Sequence, residues 1–369
     1  MKFMKTNKTI YDNPIVYIIM IIIVIGITML YSASSTIAYN KFNEYAFFLN
    51  KHIIRLIIGL SAFIVMYNLD FKLLKKYSKS ILVLSWFILL SAYFFSDGSS
   101  TNRFLIIAGQ NLFTTSDFAK ISLIIFTANF IESNKKNLNN IHVMIKNFIP
   151  YVAISLLLIL FQPDLSTTIA ISLIILTMLL IAGLKIKYIA ICGIISSTGI
   201  IYKIFTTPYQ FKRLFEWLHG KGNWQLENSL QALGNGGLIG AGFGNSIIKD
   251  GFMPEVHTDF ILPIIGEEFG FIGILIIFIL FLGIYYYGIR ICKTSPDIFS
   301  SMLALGITIN ILYYFLINAT YVVGLLPTTG LPIPFISYGG SHTLFSLISI
   351  GILVNISQYT NIYKYKTYE

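Results

Sequence analysis

Residues Met253 to Ile261 read Met-Pro-Glu-Val-His-Thr-Asp-Phe-Ile, and a long apolar run from Phe260 to Tyr287 follows directly. Asp259 therefore stands at the mouth of a membrane span. An ionisable side chain there costs a few kcal/mol unless its charge is needed, which makes it a functional candidate in its own right. Three further sets of polar residues could work beside it. Asp117 and Lys120 share a face if helical and can pair, either as a local bridge that makes Lys120 tolerable at the membrane edge or as a charge pair lining a cavity. Asp164 follows Pro163 at a turn between two apolar runs, where it can cap the next helix or serve the same cavity. Glu267 and Glu268 sit about 12 Å into the span that Asp259 opens, at about 1.5 Å per residue. Two adjacent carboxylates cannot both face lipid cheaply, so at least one turns to the protein interior, paired with a cation or protonated.

The elements that must hold these residues are membrane helices. Hydrophobic residues make up 56% of the 369 and charged residues 11%, and the mean hydropathy is +0.75. That is the composition of an integral membrane protein, not of a soluble core. Apolar runs long enough for spans of about 20 residues lie at 15–34, 52–69, 79–96, 116–133, 147–162, 165–184, 188–206, 258–288, 297–323 and 342–360. The expectation is an all-α polytopic protein of about ten transmembrane helices, one domain over residues 1–369, with a long loop at 206–257 between helices seven and eight. Ser32-Ala33-Ser34 could imitate a signal-peptidase site, but the apolar run before it exceeds the roughly 7–15 residues of a signal core, so it reads as a retained first span.

Ten spans with both termini cytoplasmic make a testable charge pattern, because basic residues favour the inner loops. The expected inner segments hold Lys2, Lys5, Lys8, Lys72, Lys75, Lys76, Lys79, Lys135, Lys136, Lys146, Lys185, Lys187, Arg290, Lys293, Lys364 and Lys366, against Lys41, Lys51 and Arg103 in the short outer loops. The net charge of +10 then reflects topology and attraction to anionic inner-leaflet lipid. Nucleic-acid binding is excluded, since it needs a basic soluble face. Cys192 and Cys292 match no metal motif and read as packing residues. No phosphate-binding nucleotide loop, dinucleotide fingerprint or zinc helix is present.

With that topology the polar candidates gather on the outer side. Two irregular stretches join them there. Leu230 to Gly244 is too glycine-rich for a simple stable helix, so its backbone N–H groups could hold phosphate oxygens, or its glycines could merely permit close packing in a re-entrant loop. Gly324 to Ser341 carries Pro327, Pro332 and Pro334, which imply a rigid path dipping into the bundle, allowed only where protein or a water cavity satisfies its backbone. The residues alone support an outward-facing polar cavity with an essential carboxylate, which a transporter would fit equally well.

Several motifs, in order and spacing, resemble the SEDS family of shape, elongation, division and sporulation proteins (FtsW, RodA and SpoVE) from Tyr31 to Ile356. They are Pro254-Glu255-x-His257-Thr258-Asp259-Phe260-Ile261 with Gly266-Glu267-Glu268-x-Gly270, Pro163-Asp164-Leu165-x-Thr167, and Gly324-Leu-Leu-Pro327 through Pro334-x-Ile336-Ser337-Tyr338-Gly339-Gly340-Ser341. Leu30 to Ser34, Gly244-Asn245-Ser246 with Lys249, and Ile265 to Glu268 are spelled as in the division branch, FtsW-like or SpoVE-like. Departures exist: Phe104 stands where the family has Trp, Asp117 where it has Glu, Ser166 where it has Gly, and His342 where a small residue is common.

The resemblance implies peptidoglycan glycosyltransfer, in which lipid II is polymerised into glycan strands on the outer face of the bacterial cytoplasmic membrane. It implies Asp259 as the base that takes the proton of the attacking hydroxyl, or as ligand of a divalent cation, magnesium or manganese, that neutralises the leaving pyrophosphate. Arg103, Lys120, Arg213 and Lys249 become candidates for pyrophosphate contact, and Asp117, Asp164, His257, Thr258, Glu267 and Ser337 further substrate contacts. It implies a class B penicillin-binding protein transpeptidase and other divisome or elongasome membrane proteins as partners. A lipid II flippase or other transporter, and a non-catalytic assembly scaffold, are the competing readings.

Overall fold

A computed structural model describes residues 13–94, 103–107, 110–220, 223–249 and 256–367. Lys2, Lys5, Lys8 and the Met253-Pro254-Glu255 start of the Asp259 segment lie outside the described residues. Helices α1 (Pro14–Phe42), α2 (Phe47–Asn68), α3 (Lys72–Lys76) and α4 (Ser78–Phe94) lead to a hairpin of β1 (Phe104–Ile107) and β2 (Gln110–Thr114). Then come α5 (Thr115–Ser133), α6 (Ile141–Asn147), α7 (Ile149–Phe161), α8 (Leu165–Ile181), α9 (Ile186–Thr206), α10 (Pro208–His219) and α11 (Trp224–Gly236). The long helices α12 (Ile261–Thr294), α13 (Ile298–Val322) and α14 (Gly340–Thr367) complete the chain. All ten apolar runs are helical, and the protein is all-α apart from the hairpin.

Length and apolarity suit α1, α2, α9, α12, α13 and α14 to cross a membrane, and α6 with α7, bent by 46°, makes a seventh such unit if read as one. The chain is a multi-pass membrane protein. Helices α4 and α8 are apolar but shorter, and α5 carries Asp117, Lys120 and Glu132. Side chains end several of these helices where the sequence offers a polar group. Asn13 Oδ1 accepts from the Ile15 N–H at 3.1 Å ahead of α1, and Asp297 Oδ1 from the Ser300 N–H at 2.8 Å ahead of α13.

Helix α13 lies at the centre, packed against α5, α8, α12 and α14. Its buried residues run all round its circumference, from Phe299 to Val322, as expected of a helix apolar on every face. Small residues let neighbours approach closely. A Cβ on Gly306 would meet Ile124 Cγ2 at 2.6 Å, and one on Gly26 would meet the Phe335 carbonyl oxygen at 2.5 Å. Helix α9 stands at the rim, with none of its apolar window buried.

The region 206–257, expected as a loop, contains α10 and α11. Helix α11 runs through Gly234 to Gly236, against the expectation for its glycines, because packing on α12 supports it. A Cβ on Gly236 would lie 1.9 Å from the Gly266 carbonyl oxygen, a contact only glycine allows. Helix α12 itself breaks at Gly270, whose φ is 64°. The broken ladder is replaced by segment 237–242. Glu267 O accepts from the Ala241 N–H at 2.9 Å and Glu268 O from the Gly242 N–H at 3.0 Å, while the Phe271 and Ile272 N–H groups donate to Gly237 O and Leu238 O at 2.9 and 3.2 Å. Of the two readings of this glycine-rich stretch, close packing is the one its geometry displays. The stretch 324–339 is non-helical, as its prolines require.

Gly270→Ala places a Cβ 2.5 Å from Leu238 backbone at a φ that side chains avoid, so we expect about 2–4 kcal/mol of destabilisation from strain and overpacking. Gly199→Ala, which meets nothing within 4 Å, should be neutral. Thermal unfolding of the two variants in one detergent measures the difference, and equal midpoints would refute the exchange of backbone bonds as a support of the fold.

Candidate functional site

The starts of three helices converge on one cleft of about 200 Å³, lined by Arg103, Phe104, Thr114, Ser116, Asp117, Asp164, Thr167, Tyr314, Thr329, Gly330, Leu331, Pro332 and His342. Ser116 and Asp117 open α5, Thr167 lies in the first turn of α8 behind its cap Asp164, and His342 lies in the first turn of α14. The positive ends of three helix dipoles therefore lie around one region, which favours an anion there.

Each wall is fixed by buried polar contacts. Asp164 accepts from Ser116 Oγ at 3.0 Å and from the Thr167 N–H at 3.4 Å. It thus caps α8 and ties α8 to α5. The Arg103 guanidinium lies 3.8 Å from the Asp164 carboxylate and donates to the carbonyls of Gln162, at 3.3 Å, and Pro163. Gln162 donates to Leu89 O at 2.8 Å and accepts from Thr115 Oγ1 at 3.0 Å, holding the turn before Asp164. Lys120 Nζ lies 3.0 Å from Asp117 Oδ1 and 3.8 Å above the Tyr314 ring. Asp117 and Lys120 form a local bridge, of which Asp117 lines the cleft while Lys120 is buried behind Tyr314. The β1–β2 hairpin, read from the sequence only as a loop, closes one edge: the Thr114 N–H donates to Ser341 Oγ at 2.7 Å.

Asp259 borders this cleft from behind Gly330. Its main-chain carbonyl accepts from Asn318 Nδ2 at 2.9 Å and from Tyr321 Oη at 2.7 Å. A Cβ on Gly330 would sit 3.1 Å from Asp259 Oδ2. Only a bare backbone at 330, itself at φ 72°, leaves the carboxylate this approach.

The other candidates are placed around that centre. His257 packs at a tilt against Phe48 and Tyr338, with ring centres 4.5 and 5.4 Å away, and its carbonyl accepts from the Tyr338 N–H at 2.8 Å. Burial, helped by the Lys41 cation, depresses its pKa to about 4. Thr258 lies in the same turn. Ser337 Oγ accepts from the Ile333 N–H at 2.9 Å and shapes the irregular stretch. Arg213 donates to Thr328 O at 3.1 Å and lies 4.5 Å over the Tyr209 ring, so it grips the same stretch from α10. Lys249 and Glu267 are in a separate cluster. Lys249 Nζ meets Glu268 Oε1 and Ser32 Oγ, each at 3.1 Å, and Gly244 O at 2.7 Å. Glu267 accepts from Asn235 Nδ2 at 3.2 Å, from Ser246 Oγ and from the Ile248 N–H at 3.4 Å. Together the two glutamates fasten segment 235–249 to α12 and α1.

Sequence reasoning did not point to Tyr314, Gln162 or Gly330. Tyr314 lies within an apolar run, and no spacing marks it as part of a cavity. Among the described residues no three or more His, Cys, Asp or Glu side chains gather as a metal site. Asp259 offers a hard carboxylate oxygen donor, the kind that magnesium takes while keeping most of its waters.

Residues 13–362 match the FtsW/RodA/SpoVE family, described as a cell cycle protein. The chain is 35% identical over 368 residues to stage V sporulation protein E of Bacillus subtilis, covering 97% of this chain and 100% of that one. It is 33% identical over 358 residues to a probable peptidoglycan glycosyltransferase FtsW of Trichlorobacter lovleyi, covering 94% and 93%. Its fold is similar to a chain in a solved peptidoglycan synthase complex, with a TM-score of 0.77, 18% identity and coverage of 94% and 97%. It is also similar to the rod shape determining protein RodA of Thermus thermophilus, with a TM-score of 0.70, 19% identity and coverage of 95% and 98%.

Two outcomes follow from the site's electrostatics. Lys120→Met leaves Asp117 buried without its cation and should cost about 3–5 kcal/mol, whereas adding Asp117→Asn should recover much of it; a double-mutant cycle on thermal unfolding reads the coupling. For His257, the folded pKa of about 4 lies below the ordinary 6.5, so the folded state binds fewer protons than the unfolded one between those values. Stability is full above pH 6.5 and falls as pH drops towards 4. His257→Phe keeps the ring packing and should flatten that part of the pH profile; a profile identical to wild type would show that His257 does not contribute.

Proposed function

This chain belongs to the FtsW/RodA/SpoVE family, and from that membership we infer that it is a peptidoglycan glycosyltransferase that polymerises glycan strands, in the service of cell division. The observation that carries the site assignment is the approach of the Asp259 carboxylate, across Gly330, to a cleft walled by Arg103, Asp117 and Asp164. We take lipid II as its substrate, the bacterial cytoplasmic membrane as its location with the cleft on the outer side, and a penicillin-binding protein transpeptidase as its partner. The similarity in fold to a chain of a peptidoglycan synthase complex supports that partner.

The reaction suits the residues. The 4-hydroxyl of the incoming amino sugar attacks the anomeric carbon of the lipid-linked strand, a carbon–oxygen bond forms, and the bond to pyrophosphate breaks with inversion. Asp259 takes the hydroxyl proton, a task that a positioned carboxylate speeds by about 10²–10⁴-fold. Arg103, with the starts of α5, α8 and α14, faces the negative charge that gathers on the departing pyrophosphate, and Lys120 supports that wall from behind through Asp117. In its alternative role Asp259 would instead hold a magnesium or manganese ion, which would supply the neutralisation of that charge. Lys249 and Glu267 act at a distance from the cleft, by fastening segment 235–249 on which α12 depends.

Asp259→Asn keeps the size of the side chain and removes the base. We expect it to lower glycan-strand synthesis from purified lipid II by at least about 10²-fold, with the unfolding temperature and the binding of a co-purified penicillin-binding protein unchanged. Strand ladders on a gel measure the effect. Ladders of wild-type intensity from the variant would sink the assignment of Asp259, and lipid II translocation without ladders from wild type would favour a transporter.

A further inference from the structure

One buried ring nitrogen in the cleft wall is not accounted for by the chemistry above. His342 is 6% exposed and lines the cleft. Its ring stacks on Tyr314, with centres 4.9 Å apart and planes 21° from parallel, so the ring is held at a fixed angle. Its Nδ1 lies 3.4 Å from Asp117 Oδ1. A carboxylate paired with the Lys120 ammonium is an acceptor only, so the imidazole proton belongs on Nδ1 and is used there. The neutral ring then presents Nε2 as a bare acceptor. That atom is buried and has no hydrogen-bond partner among the described residues.

A buried acceptor without a donor is a standing cost to the fold, and such groups recur where a ligand completes them. The chemistry of the missing donor can be narrowed. Phosphate oxygens are themselves acceptors and are repelled by a bare lone pair, so the pyrophosphate does not suit Nε2. Sugar hydroxyls and acetamido N–H groups are donors and do suit it. We propose that His342 is a sugar-recognising residue of this cleft, whose Nε2 accepts a hydrogen bond from a hydroxyl or amide N–H of the amino sugar carried on the lipid substrate. Asp117 is then a positioning residue as well as the partner of Lys120, because it fixes the tautomer that leaves Nε2 free to accept. The inference rests on the glycosyltransferase reading for the identity of the ligand, and on the ring geometry for the role.

The test uses the full chain in lipid nanodiscs and three probes: lipid II, the same lipid bearing its disaccharide without the peptide, and bare polyprenyl pyrophosphate. His342→Phe preserves the stack on Tyr314 and removes the acceptor, whereas His342→Gln supplies an amide oxygen at nearly the same reach. We expect His342→Phe to weaken both sugar-bearing lipids about tenfold, the worth of one hydrogen bond in a dry site, and to leave polyprenyl pyrophosphate unchanged. His342→Gln should recover most of the loss. Equal weakening of all three probes, a loss confined to the peptide-bearing lipid, no loss at all, or His342→Gln as weak as His342→Phe would each overturn the proposal. A drop in unfolding temperature that tracks the loss across both variants would mark a structural role instead. Wild type that prefers the sugar-bearing lipids but makes no strands refutes the polymerase and leaves the role of His342 standing.

Discussion

In hydrocarbon no backbone N–H or C=O can be left unpaired, and that constraint decides where irregular chain can run in this protein. The break in α12 shows the solution. At Gly270 two carbonyls and two N–H groups lose their helical partners, and segment 237–242 takes all four. The side chains of the same two residues, Glu267 and Glu268, then hold the same segment through Asn235, Ser246 and Lys249. Main chain and side chain therefore bind helix and loop into one unit. Asp259 lies two residues ahead of α12, so the position of the central carboxylate is inherited from this clasp, although neither glutamate lines the cleft.

The stretch after α13 obeys the same rule by other means. Its carbonyls find donors one at a time: Gly324 from Trp217, Thr328 from Arg213, Thr329 from Ser166 and Leu331 from Asn318. Three different elements, α10, α8 and α13, supply those donors, so the stretch is rigid without having a repeating structure. The rigidity matters at Gly330, where a shift of a few tenths of an ångström would close the approach of Asp259 to the cleft. Asn318 shows the economy of the arrangement, since its one amide group donates both to Leu331 O and to Asp259 O and so sets the distance between the two segments.

Much of this architecture was legible in the sequence because it follows from local rules. The apolar runs are helical among the described residues, six of the helices being long and apolar enough to cross a membrane, and Pro327, Pro332 and Pro334 forbid a helix where none forms. The cavity residues Arg103, Asp117 and Asp164, and Lys120 behind them, were legible as charges that lipid could not tolerate. What local rules could not reach were the contacts between distant segments. The hairpin at 104–114 is joined to the start of α14 through Ser341, and Gly236 is helical only because α12 lies against it. Arg213 and Lys249 read as candidates for pyrophosphate contact, but each has carbonyl or carboxylate partners far along the chain. A sequence shows that a charge needs a partner, not which partner it has.

That last distinction bears on how the cleft attracts an anion. Arg103 and Lys120 are matched by Asp164 and Asp117, and Asp259 at the border adds a further carboxylate. The fixed side-chain charges therefore sum to no excess of positive charge. Attraction must come from dipoles: the converging starts of α5, α8 and α14, whose dipoles need no counter-ion and are already oriented before a ligand arrives. The paired side chains then have a different task, which is to hold those helix starts together. Asp164 joins α8 to α5 through Ser116, and Asp117 joins α5 to α14 through His342. Removing a charge from this site would thus act first on the alignment of three helix ends and only second on the field at the ligand.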